Sequence, residues 1–165
     1  MNSPIDVIQN IAKSEDRSLV IVFFLFFSRF EYALKRTGYL TDNAEAKACW
    51  DTYAHKHSSI LSACQEKGFC NAVKLIEKSP PKKQKNVAGH LTWEIDNFQG
   101  KFDLNRILTL VCRIRNNLFH GSKFPNEAEE DVSRNHDLIA AGLTVLQTCI
   151  DSDPDLRKIF MNDLK

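Results

Sequence analysis

Apolar positions recur along most of this chain at three- and four-residue spacing, the period of a helix buried on one side. The clearest run is Leu104, Ile107, Leu108, Val111, Ile114 and Leu118, with Asp103 placed to cap its start and Gly121 to stop it. A second helix is predicted from about Arg17 to Thr37, capped by Ser14 or Asp16 and ended by Gly38. Its first half holds nine consecutive apolar residues, Leu19 to Phe27, β-branched and aromatic enough to permit a strand. Phe27, Phe30 and Leu34 continue the run at helical spacing and decide for a helix. Because the run is apolar nearly all round, that helix should be central.

The remaining segments follow the same logic. Pro4 suits the first turn of a short helix to about Lys13. Thr41 or Asp42 caps a helix through Ala48, Trp50 and Tyr53 to about Gln65, and Gly68 marks a break. Phe69 to Lys78 forms another helix, stopped by Pro80-Pro81, and Ser79 to Asn86 reads as an exposed basic loop. Val87 to Gly100 reads as helix, or helix plus turn. The acidic run Glu127 to Asp131 suits a helix N-terminus, and that helix continues through Leu138, Ile139, Leu143, Leu146 and Ile150. Asp153-Pro154 starts a final helix to about Asp163. The expected fold class is all-α: a bundle of four to five main helices plus short ones, in a single domain over residues 1–165.

Composition narrows the setting. The chain has 165 residues, 43% of them apolar and 26% charged, which is ordinary for a globular domain and excludes wholesale disorder. Nine apolar residues fall far short of the roughly 20 that span a bilayer, and no cleavage site follows them, so no membrane association is expected. A core helix or an oligomer interface is the better use of Leu19–Phe27. The five cysteines, an odd number without a CxxC pair, suggest a reducing, cytoplasmic setting. His55, His57, Cys64 and Cys70 fit no common zinc spacing, so no metal site and no cofactor are expected. Net charge is only +1, but it is unevenly spread. Lys74 to Lys123 holds ten Lys and Arg against four Asp and Glu, whereas Phe124 to Asp155 holds eight acidic residues against one Arg. A basic segment of this kind draws polyanions, unless folding interleaves the two.

The basic segment contains Arg115-Asn116-Asn117-Leu118-Phe119-His120-Gly121. Arg is permanently charged and carries a fork of donors matched to phosphate oxygens. His titrates near neutral pH and can move a proton. At about 100° per residue, Arg115 lies near the apolar stripe of its helix, about 20° from Leu108, where an unpaired cation is costly. An acidic side chain, a second subunit or a bound phosphate should meet it. In an unbroken helix His120 would lie about 140° away, so the two groups converge only if the helix ends near Phe119 or a second subunit supplies its own copy. Charges that merely suit a helix C-terminus are the plain alternative. Glu31, at the edge of an apolar stripe, also needs a partner: Arg115, Arg29 or Lys35, or an orienting contact to His120. Asn117, Lys123, Arg113, Lys82 and Lys83 are candidate contacts to a polyanion, Lys82 and Lys83 equally part of a solvated loop. Arg134 and His136 read as a solvated face.

The run RNNLFH matches the Arg-x4–6-His signature of the HEPN domain superfamily, and the polar residue directly after the Arg, Asn116, matches as well. The chain resembles that superfamily also in placing the motif near the end of a late helix, ahead of the last long one. The resemblance implies a metal-independent endoribonuclease, often a toxin or an antiviral defence effector, with an antitoxin or neighbouring defence protein as partner. It implies a homodimer that joins two motifs in one composite cleft. Arg115 would stabilise the scissile phosphate of an RNA, His120 would act as general base or acid, and Asn116 would support them, with Glu31 the acidic companion. Some members continue the motif as His-x-Tyr, with the Tyr modified by a partner; here that position is Ser122, so silencing by that route is in doubt. A non-catalytic module that binds RNA, a nucleotide or a protein is the alternative; a purely structural helical protein is the third.

Overall fold

The computed structural model describes residues 17–42, 45–63, 66–119 and 129–162. Within them the chain is mostly helical, in the order α1 (Arg17–Arg36), α2 (Trp50–Lys56), α3 (Ser59–Ala63), α4 (Lys67–Lys78), β1 (Lys83–Val87), β2 (His90–Glu94), α5 (Leu104–Phe119), α6 (Glu129–Ser152) and α7 (Pro154–Asn162). The expected helix over Pro4–Lys13 lies outside the described residues.

The core gathers the apolar stripes of α1, α4, α5 and α6. α1 contributes Phe23, Phe27, Phe30, Ala33 and Leu34, and α5 contributes Leu104, Ile107, Leu108, Leu110, Val111 and Ile114, all buried. Phe30 stacks on Trp50 with ring centroids 5.2 Å apart and meets Tyr53 edge-on, which ties α2 to α1. α6 packs against α1, α4 and α5, so the acidic and basic segments of the sequence are interleaved in space. At Gly142 on α6 a Cβ would come within 3.1 Å of the Phe23 ring and 3.6 Å of Ile114, so a glycine lets three helices approach closely.

Chain ends of the helices follow their residue chemistry. Gly38 takes φ +89°, and the Tyr39 N–H bonds the Leu34 carbonyl at 2.9 Å, closing α1 in a Schellman motif. Asp103 Oδ1 accepts from the Arg106 N–H, so the predicted cap of α5 is made, and Asp153 Oδ1 accepts from those of Asp155 and Leu156 at the start of α7. Arg29 closes the far end of α7 by donating to the carbonyls of Ile159 and Phe160.

Four expectations are corrected. α1 is not surrounded by core: Ile21, Leu25 and Tyr32, which share its outer face with Ser28, are 57, 60 and 37% exposed. The helix expected from Thr41 or Asp42 starts only at Trp50, because residues 41–47 carry no large apolar side chain to bury. There the chain instead pairs Leu40 with Ala48, and the Cys49 N–H bonds the Tyr39 carbonyl. Gly68 does not interrupt a helix but sits in the first turn of α4, where a glycine costs little. Most consequentially, residues 83–94, expected as exposed loop and then helix, form an antiparallel hairpin, so the mostly helical fold carries one small two-stranded sheet. Ala88 and Gly89 form its two-residue turn, with φ of 52° and 84°, and Asn86 Oδ1 accepts from the Gly89 N–H.

Candidate functional site

Arg115 leaves α5 toward α1, where two residues one turn apart receive it. Its guanidinium lies 4.9 Å from the centroid of the Phe27 ring, over the face of an aromatic that also belongs to the core. Glu31 Oε1 stands 3.6 Å from Arg115 Nη2. Of the partners weighed for Glu31 among the described residues, Arg115 is the one it meets. Both side chains are about 30% exposed, so the pair sits at the margin of the core, half in solvent. A guanidinium has five N–H donors, and among the described residues one carboxylate contact longer than a hydrogen bond leaves Arg115 capacity for an anion. The Cys112 thiol, one turn earlier on α5, is pushed up to about 12 by burial and by the charge of Glu31, with Arg115 opposing, and is uncharged at neutral pH.

Other predicted residues fall elsewhere. Asn116 is exposed at the same end of α5. Arg113 and Asn117, four residues apart, share the face about 200° from Arg115 and point to the hairpin. Asn117 Nδ2 donates to the Lys82 carbonyl at 3.0 Å, and Arg113 donates to the Pro81 carbonyl and to Asp96. Lys83 starts β1 on an exposed position and Lys82 precedes it, half-buried. The structure thus brings Arg115 to Glu31 on one side of α5, and Arg113 and Asn117 to the Lys82–Lys83 strand on the other. His120 and Lys123 lie outside the described residues.

Three groups were not foreseen. Asp96 takes both Arg113 and Arg106, the latter at 2.6 Å, and the Arg106 guanidinium carbon lies 4.1 Å from the centre of the Phe98 ring. Burial opposes ionisation of Asp96, but the hydrogen bonds and charge of Arg113 and Arg106 outweigh it and hold its carboxyl below the usual range. Arg134, expected on a solvated face, is half-buried and donates to Ser79 Oγ and to the Pro80 carbonyl, both at 2.7 Å. His57 Nε2 lies 3.0 Å from the Tyr39 hydroxyl and 3.2 Å from Asp153 Oδ2, and its ring stacks on Tyr53. That contact joins the α2–α3 junction to the cap of α7. A paired carboxylate in the segment before Asp103 was the available signal for Asp96, but only the hairpin gives that segment a place next to α5.

Among the described residues no group of three or more His, Cys, Asp and Glu side chains is assembled that could hold a metal ion, and no helix is long and apolar enough to cross a membrane. Among the described residues, Cys49, Cys70, Cys112 and Cys149 form no disulfide. No protein-family model, curated protein or solved structure matches the chain.

Proposed function

We propose that this chain is a HEPN-type, metal-independent endoribonuclease, acting in the cytoplasm as a toxin or antiviral defence effector under the control of an antitoxin or neighbouring defence protein. The observation that carries the reading is the seat of Arg115. The motif's cation is neither buried in a closed ion pair nor left loose on the surface, but is oriented by Glu31 and Phe27 with part of its fork in solvent. Such a preset donor suits charge that develops on phosphoryl oxygens.

In this reading His120 takes the proton from an RNA 2′-hydroxyl as O2′ bonds to phosphorus. Arg115 holds the non-bridging oxygens while the P–O5′ bond breaks, and the imidazolium of His120 returns the proton it took up to the departing 5′-oxygen. The products are a 2′,3′-cyclic phosphate and a 5′-hydroxyl. Proton transfer and charge stabilisation supply the acceleration, and neither calls for an ion. Glu31 keeps the guanidinium in place, and Asn116, exposed beside it, offers polar contacts to the strand.

A homodimer is part of the proposal. The exposed apolar stripe Ile21, Leu25 and Tyr32 runs along α1, and Glu31 lies at its margin, within about 20° of Phe24 around the helix. A second copy packed there buries the stripe and brings a second motif alongside the first.

The test is cleavage of a mixed RNA pool by the purified chain in EDTA. Arg115→Ala and His120→Ala are expected to lower the rate by about 10²–10³ while the fold is retained. If EDTA stops cleavage, or either variant cuts at the wild-type rate, the proposal fails. RNA binding without cleavage would instead make the chain a non-catalytic module.

A further inference from the structure

A cavity of about 320 Å³ opens between the base of the hairpin and α5, on the side of α5 away from Arg115. Lys83, Glu94, Asp96, Asn97, Arg106 and Arg113 line it. Its charge does not balance. Arg106 and Arg113, only 11 and 16% exposed, both converge on Oδ2 of Asp96, so two cations share one carboxylate. Glu94, the other acid in the wall, is engaged by Lys85. Lys83 adds a further positive charge at the wall. Half-buried cations in excess of their counter-ions are costly until an anion arrives.

Two further observations point to a ligand. Arg106 Nε is buried with no hydrogen-bond partner among the described residues, an unusual state for a charged donor. The Arg106 guanidinium carbon also lies 4.1 Å from the centre of the Phe98 ring, a cation–π contact that holds the group at the cavity wall. Gly100 is matched to this arrangement, since a methyl there would overlap the ring. A fixed fork, a second guanidinium and an ammonium around one small cavity fit the several oxygens of a phosphate better than the two of a carboxylate.

We propose that this cavity is a phosphate-binding site, in which Arg106, Arg113 and Lys83 hold a phosphate ester that competes with Asp96 for the guanidiniums. It is separate from the Arg115 site and does not depend on cleavage there. The phosphate comes either from a free nucleotide or from the backbone of a strand.

The test follows the Arg Nε–H signals of the full chain by NMR during titration with inorganic phosphate, adenosine 5′-monophosphate and a short DNA strand, against chloride at matched ionic strength. The Arg106 signal is expected to move and saturate with phosphate-bearing probes and not with chloride. Tighter binding of the mononucleotide points to a free nucleotide, and tighter binding of the strand to a nucleic-acid backbone. Asp96→Asn removes the competitor and should tighten phosphate binding by about tenfold or more, an effect opposite to that of simply losing a structural ion pair. Lys83→Gln, on an exposed strand position, should weaken binding several-fold and decides the matter if Asp96→Asn does not fold. Arg115→Ala should leave this binding intact, which separates the outcome from that of the ribonuclease test. An Arg106 signal indifferent to every probe, binding unchanged in Lys83→Gln, or a folded Asp96→Asn that binds no better overturns the proposal.

Discussion

The helical body and the hairpin are held together by different forces. In the body, Phe23, Phe27, Phe30, Ile107, Leu108 and Val111 are withdrawn from water, and helices meet through side-chain packing. The hairpin instead exposes Val87 and Leu91 and is fastened at its base by polar side chains of the helices. Arg134 grips Ser79 and Pro80, Arg113 grips Pro81 and Asp96, and Asn117 grips Lys82. One helix, α5, thus serves three purposes with three faces: core, Arg115 toward α1, and a clamp toward the hairpin. A motif residue and a residue two positions away can therefore have unrelated roles.

This contrast can be broken by substitution. Phe30→Ala, which removes a fully buried ring stacked on Trp50, should destabilise the whole domain by about 3–5 kcal/mol in urea unfolding. Arg134→Ala should cost less, about 1–3 kcal/mol, and its effect should be local. Hydrogen exchange should quicken across Lys83–Glu94 while the amides of α5 keep their protection. Equal loss of protection in both regions would show that hairpin and body unfold as one unit.

Asp96 gives a pH-dependent version of the same test. Its carboxyl is held below the ordinary value of 3.8, so its contribution is complete above that value and is lost as pH falls through the lowered one. The difference in urea midpoint between wild type and Asp96→Asn should be constant from pH 5 to 7 and shrink below pH 4. A difference that grows on acidification would contradict the assignment. The smallest effect expected is that of Gly100→Ala, under about 1 kcal/mol, with Phe98 displaced from Arg106 and the core unaffected.

The sequence made the body legible because burial imposes a period. The run from Leu104 to Ile114, the cap at Asp103 and the stop at Gly38 were all readable, as was the need of Arg115 for a partner near the apolar stripe. The hairpin was not readable, because its strands alternate weakly and Lys, Gln and Asn fill β1. Its turn is Ala88-Gly89 rather than the usual Asn-Gly or Asp-Gly pair. Without the hairpin, Arg113, Asn117 and Arg134 looked like surface polar residues, and Asp96 and Arg106 had no reason to meet. Glu31 was readable only as a residue in need of a partner; choosing Arg115 over Arg29 required the three-dimensional placement of α7, whose last carbonyls take Arg29.

The most direct measurement is of the chemical ends left on RNA by the purified chain in EDTA, for wild type and Arg115→Ala side by side. The account predicts 2′,3′-cyclic phosphate and 5′-hydroxyl ends from the wild type, and almost none from the variant. Ends carrying a 5′-phosphate, or the same yield of cyclic phosphate without Arg115, would contradict it.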